Sequence, residues 1–176
     1  MTVAVALRPA QPEDADFQFA VYASTRASEM ALVSWSADKK QVFLEMQFGA
    51  QRQHYSRYYP EAEYSIILGD HVPVGRLIVN RAAGEILLID IALLPEHQNG
   101  GIGTGLIQEL MAEAREAGRR LRLHVETFNP ALRLYERLGF TRVAEMGLYY
   151  EMEYGPIPPF LDTHMPLRAP EAGLGG

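Results

Sequence analysis

A strand, a glycine-rich loop and an amphipathic helix follow one another in the middle of the chain, and this segment constrains the fold most. Residues 86–94 are apolar except for Asp90, and a strand that is apolar on both faces is typical of the centre of a sheet. Residues 100–105 contain four glycines. Apolar residues then recur at helical spacing from Ile102 to Ala114, and Gly118 marks the end of the helix. We therefore expect a central strand followed by a helix that packs on its sheet.

Weaker patterns before and after this segment predict the other elements. The predicted elements before it are a strand at 2–8, a helix from Pro12, a second helix after Ser36 and strands at 62–68, 74–80 and 85–94. Those after it are a strand at 121–125, a short helix at 130–138 and a hairpin at 141–154. The order βααβββαβαββ predicts a mixed α/β fold with one central sheet.

Two further expectations concern the second helix and the end of the chain. One face of that helix is apolar along its length, and we expect it to be buried. It carries Val42, Phe43, Met46 and Ala50. The last 22 residues contain five prolines and four glycines without periodicity. We therefore predict a domain at 1–154 and a C-terminal tail at 155–176.

The composition excludes several classes of site. The net charge of −6 argues against non-specific binding of nucleic acid, which requires a basic face, and weakly favours a cationic substrate. The chain has no cysteine, which excludes disulfides, thiolate metal sites and a cysteine nucleophile. Histidines stand at 54, 71, 97, 124 and 164 without the spacing of a zinc site, so we predict no metal.

The apolar segments are shorter than a membrane protein requires. The longest, residues 86–94, falls far short of the roughly 20 residues that a spanning helix needs. Residues 1–7 lack the basic lead-in of a signal peptide and are soon followed by acidic residues. We therefore expect a cytoplasmic protein with no membrane partner.

The glycine-rich loop is expected to bind phosphate groups. Glycines at a helix start leave backbone amides exposed and let a phosphate approach them closely. The loop of nucleotide triphosphatases needs a lysine after its last glycine, and none stands near Gly103 or Thr104. The dinucleotide fingerprint needs a glycine at its sixth position, where this chain has Leu106. A tight turn without a ligand would need one glycine rather than four, so all three alternatives are disfavoured.

Two sequence motifs, which follow one another along the chain, resemble motifs of the GNAT acetyltransferase superfamily. The first has the pattern Gln-x-x-Gly-x-Gly, with Gln98, Gly101 and Gly103 after a strand and a proline. The second comprises Leu121, Leu123, Val125, Asn129, Pro130, Ala131, Leu134, Tyr135, Leu138, Gly139 and Phe140. The resemblance covers about residues 3–154 and is sharp only between 85 and 140. It implies a single GNAT-like α/β domain with splayed central strands.

The resemblance implies acetyl-CoA as the cosubstrate. In this family the strands before and after the helix splay apart, and the pantetheine arm lies between them. The implied pantetheine contacts are Ile91, Ala92, Leu93 and Asn129, and the implied diphosphate loop is Gln98, Asn99, Gly100, Gly101, Ile102, Gly103 and Thr104. For Asn129 a role as cap of the following helix is equally open.

Three side chains are candidates for moving protons. Tyr135 matches the family's usual proton donor to the departing thiolate, with a half-buried packing role as the alternative. His124 stands where some members carry a catalytic glutamate, and its ordinary pKa of about 6.5 suits a base; the alternative is a histidine held on the other face. Asp90 interrupts an apolar strand and is either a structural hydrogen-bond partner or a carboxyl with a raised pKa. Without a cysteine to carry the acyl group, direct attack in a ternary complex is the simplest route.

The resemblance therefore implies an N-acetyltransferase whose acceptor is a primary amine of a small molecule or a peptide. The first two helices and the last hairpin normally frame the acceptor pocket in this family. Candidates within them are Tyr22, Arg26, Glu29, Trp35, Met46, Gln47, Gln51, His54, Gly147, Leu148, Tyr149 and Tyr150. A non-catalytic acyl-CoA sensor and a nucleotide-binding regulatory domain are the alternatives. A homodimer, which is common among relatives, is left open.

Overall fold

A seven-stranded sheet organises residues 2–156, the part of the chain that the computed structural model describes. The strands are β1 (Val5–Pro9), β2 (Glu63–Gly69), β3 (Val72–Arg81), β4 (Glu85–Leu93), β5 (Arg120–Glu126), β6 (Thr141–Met146) and β7 (Tyr149–Tyr154). Their order across the sheet is β1-β2-β3-β4-β5-β7-β6. Neighbours are antiparallel except β4 and β5, which are parallel.

Five helices connect and cover these strands within residues 2–156. They are α1 (Ala15–Thr25), α2 (Ala27–Ala31), α3 (Ala37–Tyr58), α4 (Ile102–Ala117) and α5 (Ala131–Leu138). The predicted mixed α/β fold and its element order are confirmed, with the short α2 as an addition between the first two predicted helices. None of the helices in this part of the chain is long and apolar enough to cross a bilayer. The predicted tail lies outside the described residues except for 155 and 156.

The helix α4 supplies most of one face of the core, as its periodicity predicts. Its buried side chains are Ile102, Leu106, Ile107, Leu110, Met111 and Ala114, and they pack with buried residues of β3, β4 and β5. Gly118 follows the helix with φ of 64°, the left-handed conformation that ends a helix at low steric cost. This packing fixes where the loop before α4 lies relative to the sheet.

The buried face predicted for α3 is wrong, although its start at Ser36 is confirmed. The Ser36 side chain accepts a hydrogen bond from the Lys39 amide at 3.2 Å. Met46, however, is 68% exposed, whereas Leu44 and Phe48 are buried against Tyr22 of α1. The periodicity misleads because α3 packs on α1 and turns polar side chains toward the sheet. Val42 and Ala50 are likewise exposed, and Phe43 is half-buried.

The strands β4 and β5 pair over only four residues and then separate. Residues 85–88 of β4 lie in register with 120–123 of β5, and the pairing stops there. The separation begins at Ile89, an extra residue in β4 that has no partner in β3, because Val79 pairs with Leu88 and Ile78 with Asp90. A bulge of this kind bends its strand locally. The splayed central strands implied by the resemblance are therefore confirmed.

Gly75 lets β3 approach the diverging end of β4, and Gly75→Ala tests this contact. A Cβ at this position would collide with the Ala92 carbonyl oxygen and approach Leu93 Cδ2 to 2.8 Å. We expect the substitution to lower the free energy of unfolding by about 1–3 kcal/mol, as overpacking does. Gly84→Ala is the matched control, because its Cβ would meet no atom within 4 Å. Equal urea midpoints for the two variants would contradict this account of Gly75.

Candidate active site

A cleft of about 290 Å³ opens where β4 and β5 separate. From the candidates that the sequence identifies, it brings together Asp90, Ile91, Ala92, His124, Asn129 and Tyr135. Leu93, the last residue of β4, and residues 98–104, which follow the strand, do not line this cleft. The separation of two strands thus places the candidate proton carriers around one space, with the glycine-rich loop at its end.

Asp90 forms an ion pair with a buried arginine. Arg76 of β3 is only 3% exposed, and its Nε lies 2.7 Å from Asp90 Oδ2. Its Nη2 donates to Gln51 of α3 at 2.7 Å, and its guanidinium lies 5.5 Å from the centre of the Phe48 ring. Burial raises the pKa of Asp90, and Arg76 opposes the rise. Asp90 is thus both a structural hydrogen-bond partner of Arg76 and a carboxyl whose pKa is raised.

His124 lies on the face of β5 opposite the core. Leu123 and Val125 are buried toward α4 and α5, whereas the His124 side chain is 30% exposed. Its Nε2 lies 3.7 Å from Oε2 of Glu151, its partner across the β5–β7 pairing. Burial lowers the pKa of His124, and the charge of Glu151 opposes that change. The imidazole is therefore neutral at pH 7 and has a free lone pair.

Tyr135 projects from α5 toward the cleft from the other side of the sheet. It is 8% exposed and packs edge-on against Phe140, with 5.7 Å between ring centres. Burial, and secondarily the charge of Asp90, raises the pKa of Tyr135 to about 12. The phenol therefore keeps its proton at neutral pH. Asn129 caps the same helix, since its Oδ1 accepts from the Ala131 amide at 2.9 Å.

The loop before α4 is held to the end of β4 and leaves a helix start open. The side-chain amide of Gln98 donates to the Leu93 carbonyl at 3.0 Å. Asn99 and Gly101 adopt left-handed φ angles of 61° and 87°. The Gly105 amide then donates to the Gly101 carbonyl at 2.9 Å as the first turn closes. The amides that precede it point out of the helix end, where an anion is favoured.

The other glycines of this loop are not explained by packing within residues 2–156. A Cβ on Gly100 or Gly105 would meet no atom within 4 Å, and one on Gly103 would meet only Leu93 Cδ1, at 3.9 Å. None of these three has the positive φ that makes glycine necessary at Gly101. The glycines therefore keep the start of α4 free of side chains.

Some candidates for the acceptor pocket line the cleft and others do not. Those that line it are Tyr22, Arg26, Glu29, Gln51 and Tyr149. Those that do not are Trp35, Met46, Gln47, His54, Gly147, Leu148 and Tyr150. Trp35 instead packs against Phe43, with 5.3 Å between ring centres. The candidates that line the cleft therefore come from α1, α2, α3, the residue between α1 and α2, and the start of β7.

Among the cleft residues that sequence reasoning did not single out are Tyr55, Arg76 and Glu126. Arg76 is recognisable from the sequence, because it is the one charged residue within the apolar residues 74–79 of β3. It also stands two residues from Ile78, which pairs with Asp90. Side chains alternate between the two faces of β5, so Glu126, two residues after His124, lies on the same face as His124. Tyr55 has no such signal, since its position depends on how α3 crosses the sheet. Within residues 2–156, no cluster of three or more histidine or acidic side chains is suited to a metal ion.

Comparisons with known proteins agree with this geometry. The N-acetyltransferase that acts on alanine of ribosomal protein bS18 in Haemophilus influenzae is 35% identical over 83 residues, which are 47% of this chain and 57% of that protein. The chain thus spans little more than half the length of that relative. An acetyltransferase from Agrobacterium fabrum is 34% identical over 82 residues, 44% of this chain and 57% of the relative.

Solved structures share the fold at low sequence identity. A PaiA N-acetyltransferase from Thermoplasma acidophilum, solved in complex with coenzyme A, superposes with a TM-score of 0.66 at 18% identity and covers 87% of this chain and 99% of its own. An acetyltransferase from Thermus thermophilus gives 0.64 at 21% identity and covers 89% and 100%. The sequence model described as the acetyltransferase (GNAT) family matches residues 26–140, more than half of the chain. The chain belongs to the acetyltransferase (GNAT) family.

Proposed function

We propose that the protein transfers an acetyl group from acetyl-CoA to a primary amine, by direct attack within a ternary complex. The observation that carries this proposal is the cleft between β4 and β5. The phenol of Tyr135 and the imidazole of His124 line it, and the start of α4 lies beyond the end of β4. Acetyl-CoA supplies the thioester carbonyl that is attacked and the thiolate that leaves.

The binding of acetyl-CoA is assigned to β4 and to the loop that follows it. Beyond Leu88, no strand among residues 2–156 lies beside the edge of β4 on the β5 side, so an extended amide chain can pair with Ile91, Ala92 and Leu93. The amides of residues 99–104 hold the diphosphate at the start of α4. An amide near Leu93 also stabilises the thioester oxygen as negative charge develops on it. Asn129 borders the same space at the start of α5.

Proton transfer is divided between His124 and Tyr135. His124 accepts the proton that the attacking amine loses, because its lowered pKa keeps it neutral at physiological pH. Tyr135 donates a proton to the departing thiolate, because its raised pKa keeps it protonated. Asp90 is assigned an indirect role. Its carboxylate pairs with Arg76, and its charge helps to keep the phenol protonated.

The acceptor amine is assigned to the side of the cleft formed by α1, α2 and the end of β5. Two of the three carboxylates on the cleft wall have a cationic partner, since Asp90 pairs with Arg76 and Glu29 with Arg26. Glu126 has no such partner among residues 2–156. Its charge therefore attracts the protonated amine before the proton is removed.

The experiment that tests the function measures free thiol during incubation of the full chain with acetyl-CoA and a panel of primary amines. We expect thiol release above the hydrolysis rate for at least one small amine or peptide, with an acetylated product of matching amount. Binding of coenzyme A without thiol release for any amine would instead favour a non-catalytic sensor of acyl-CoA. No binding of either coenzyme A form would contradict the proposal.

Gly103→Val tests the diphosphate loop. The new methyl groups would occupy the space beside Leu93 at the helix start, so we expect the Kd for coenzyme A to rise by about 10-fold or more, the equivalent of about 1.4 kcal/mol. Gly105→Val is the control, because it makes the same change of helix propensity two residues further into α4. Calorimetry should show a less than about threefold change for this variant. Equal losses in the two variants would contradict the assignment.

Tyr135→Phe tests the proton donor. We expect kcat to fall about 100-fold, a value within the range for loss of one acid catalyst, with little change in the KM for acetyl-CoA. Tyr154→Phe is the control, since Tyr154 packs on Phe140 in the same aromatic group but does not line the cleft. Because the pKa of Tyr135 is raised to about 12, we also expect that deprotonation of Tyr135 does not lower kcat up to pH 10. Unchanged kcat in Tyr135→Phe would exclude it as the donor.

Glu126→Gln tests the acceptor side. Loss of the unpaired charge should raise the KM for the amine several-fold, and this difference from the native enzyme should shrink at high salt. The KM for acetyl-CoA should not change, because Glu126 is not among the residues assigned to its binding. Glu109→Gln serves as the control, since Glu109 is exposed on α4 and does not line the cleft. An amine KM that is the same in native and Glu126→Gln protein would contradict this role.

A further inference from the structure

A chain of alternating charges crosses three strands and ends at His124. Glu85 of β4 accepts from Arg122 Nη2 at 2.7 Å, and Arg122 Nη1 donates to Glu151 Oε1 at 3.3 Å. The other oxygen of Glu151 lies 3.7 Å from His124 Nε2. Glu151 is only 18% exposed, so its carboxylate is held between the guanidinium and the imidazole.

The strand register produces this arrangement. His124 and Glu151 are direct cross-strand partners in the antiparallel β5–β7 pair, and Arg122 precedes His124 by two residues on the same face. Side chains of cross-strand partners start about 4.5–5.5 Å apart at Cβ. Glu151 therefore reaches the imidazole in an ordinary strand conformation. Because Arg122 holds one of its oxygens, only the other is available to His124.

We infer that Glu151 is a positioning residue for His124: it selects the tautomer with the proton on Nε2 and leaves the lone pair on Nδ1 to accept the substrate proton. This inference rests on the proposed role of His124 as the base. A carboxylate beside one ring nitrogen favours the proton on that nitrogen. The separation of 3.7 Å is longer than a hydrogen bond, and catalytic contacts are often long in the absence of substrate and tighten when it binds.

The charges around His124 determine the sign of the pH effect. Glu151 faces it from β7, Arg122 from its own strand and Glu85 from β4. The wall of the cleft adds Arg26, Glu29, Tyr55, Arg76, Asp90, Glu126, Tyr135 and Tyr149. Burial lowers the pKa of His124, and Glu151 is the main group that raises it. Removal of the Glu151 charge must therefore lower that pKa further.

The experiment compares Glu151→Gln with Glu153→Gln in the full chain. Glu153 lies on the same face of β7 and pairs with Arg120 rather than with a histidine. In Glu151→Gln we expect kcat to fall about 10-fold, part of the contribution of a general base, and the acid limb of its pH profile to move to lower pH. The KM for acetyl-CoA should be unchanged. Glu153→Gln should leave both kcat and the position of the acid limb of the pH profile unchanged.

A spectroscopic measurement tests the same inference without turnover. Nitrogen-15 NMR of the imidazoles, with the His124 signal assigned by its loss in His124→Gln, should show a proton on Nε2 in native protein. Glu151→Gln should show a lower pKa and a mixture of tautomers. An unchanged tautomer and an unchanged acid limb in Glu151→Gln, with similar thermal unfolding of the two glutamine variants, would overturn the inference.

The outcomes separate this inference from the proposed function. If native protein releases no thiol with any amine, the proposed function fails, and the NMR titration alone decides whether Glu151 sets the tautomer. If His124→Gln retains both thiol release and the acid limb, acetyl transfer stands but the base is not His124. That result would overturn the inference.

Discussion

The separation of β4 from β5 is the constraint on which the rest of the site depends. Two parallel strands at the centre of a sheet normally pair along their length, because unpaired backbone groups in a core are costly. Here pairing ends after four residues, at the bulge on Ile89. Strand β7 pairs along the opposite edge of β5, so the separated edges of β4 and β5 both face the cleft. A backbone edge left open in this way is a binding surface for another extended amide chain.

Charge compensation makes this polar cleft compatible with a folded domain. Arg76 is buried in an otherwise apolar strand, where an unpaired guanidinium would be strongly destabilising. Asp90 and Gln51 together satisfy it from β4 and α3. On the other strand, Arg122 sits between Glu85 and Glu151. Each wall of the cleft is thus anchored by a buried or half-buried arginine.

Much of the fold follows from local patterns in the sequence. Helix α4 is identified by the helical spacing of its apolar residues, because it has one buried face. Strand β4 is identified by its nearly continuous apolar residues, because it has two buried faces. The buried face of α3 is not identified, because its inner side faces a polar cleft and α1 rather than an apolar sheet. The apolar stripe through Met46 therefore lies on the exposed side.

The site is only partly predictable for a related reason. The loop glycines and Tyr135 are recognisable because they stand in motifs with fixed spacing. The partners of His124 and Asp90 are not, since Glu151 and Arg76 come from other strands and are brought there by register. A one-residue change in either register would turn these side chains to the opposite face. Such contacts depend on tertiary structure rather than on any local pattern.

The most direct test of the account is a crystal structure of the full chain with coenzyme A. The account predicts the diphosphate within hydrogen-bonding distance of the amides between Asn99 and Thr104. It also predicts the pantetheine arm alongside Ile91 to Leu93, with its sulfur between Tyr135 and His124. Coenzyme A bound elsewhere on the protein, or a cleft between β4 and β5 closed by other groups of the chain, would contradict it.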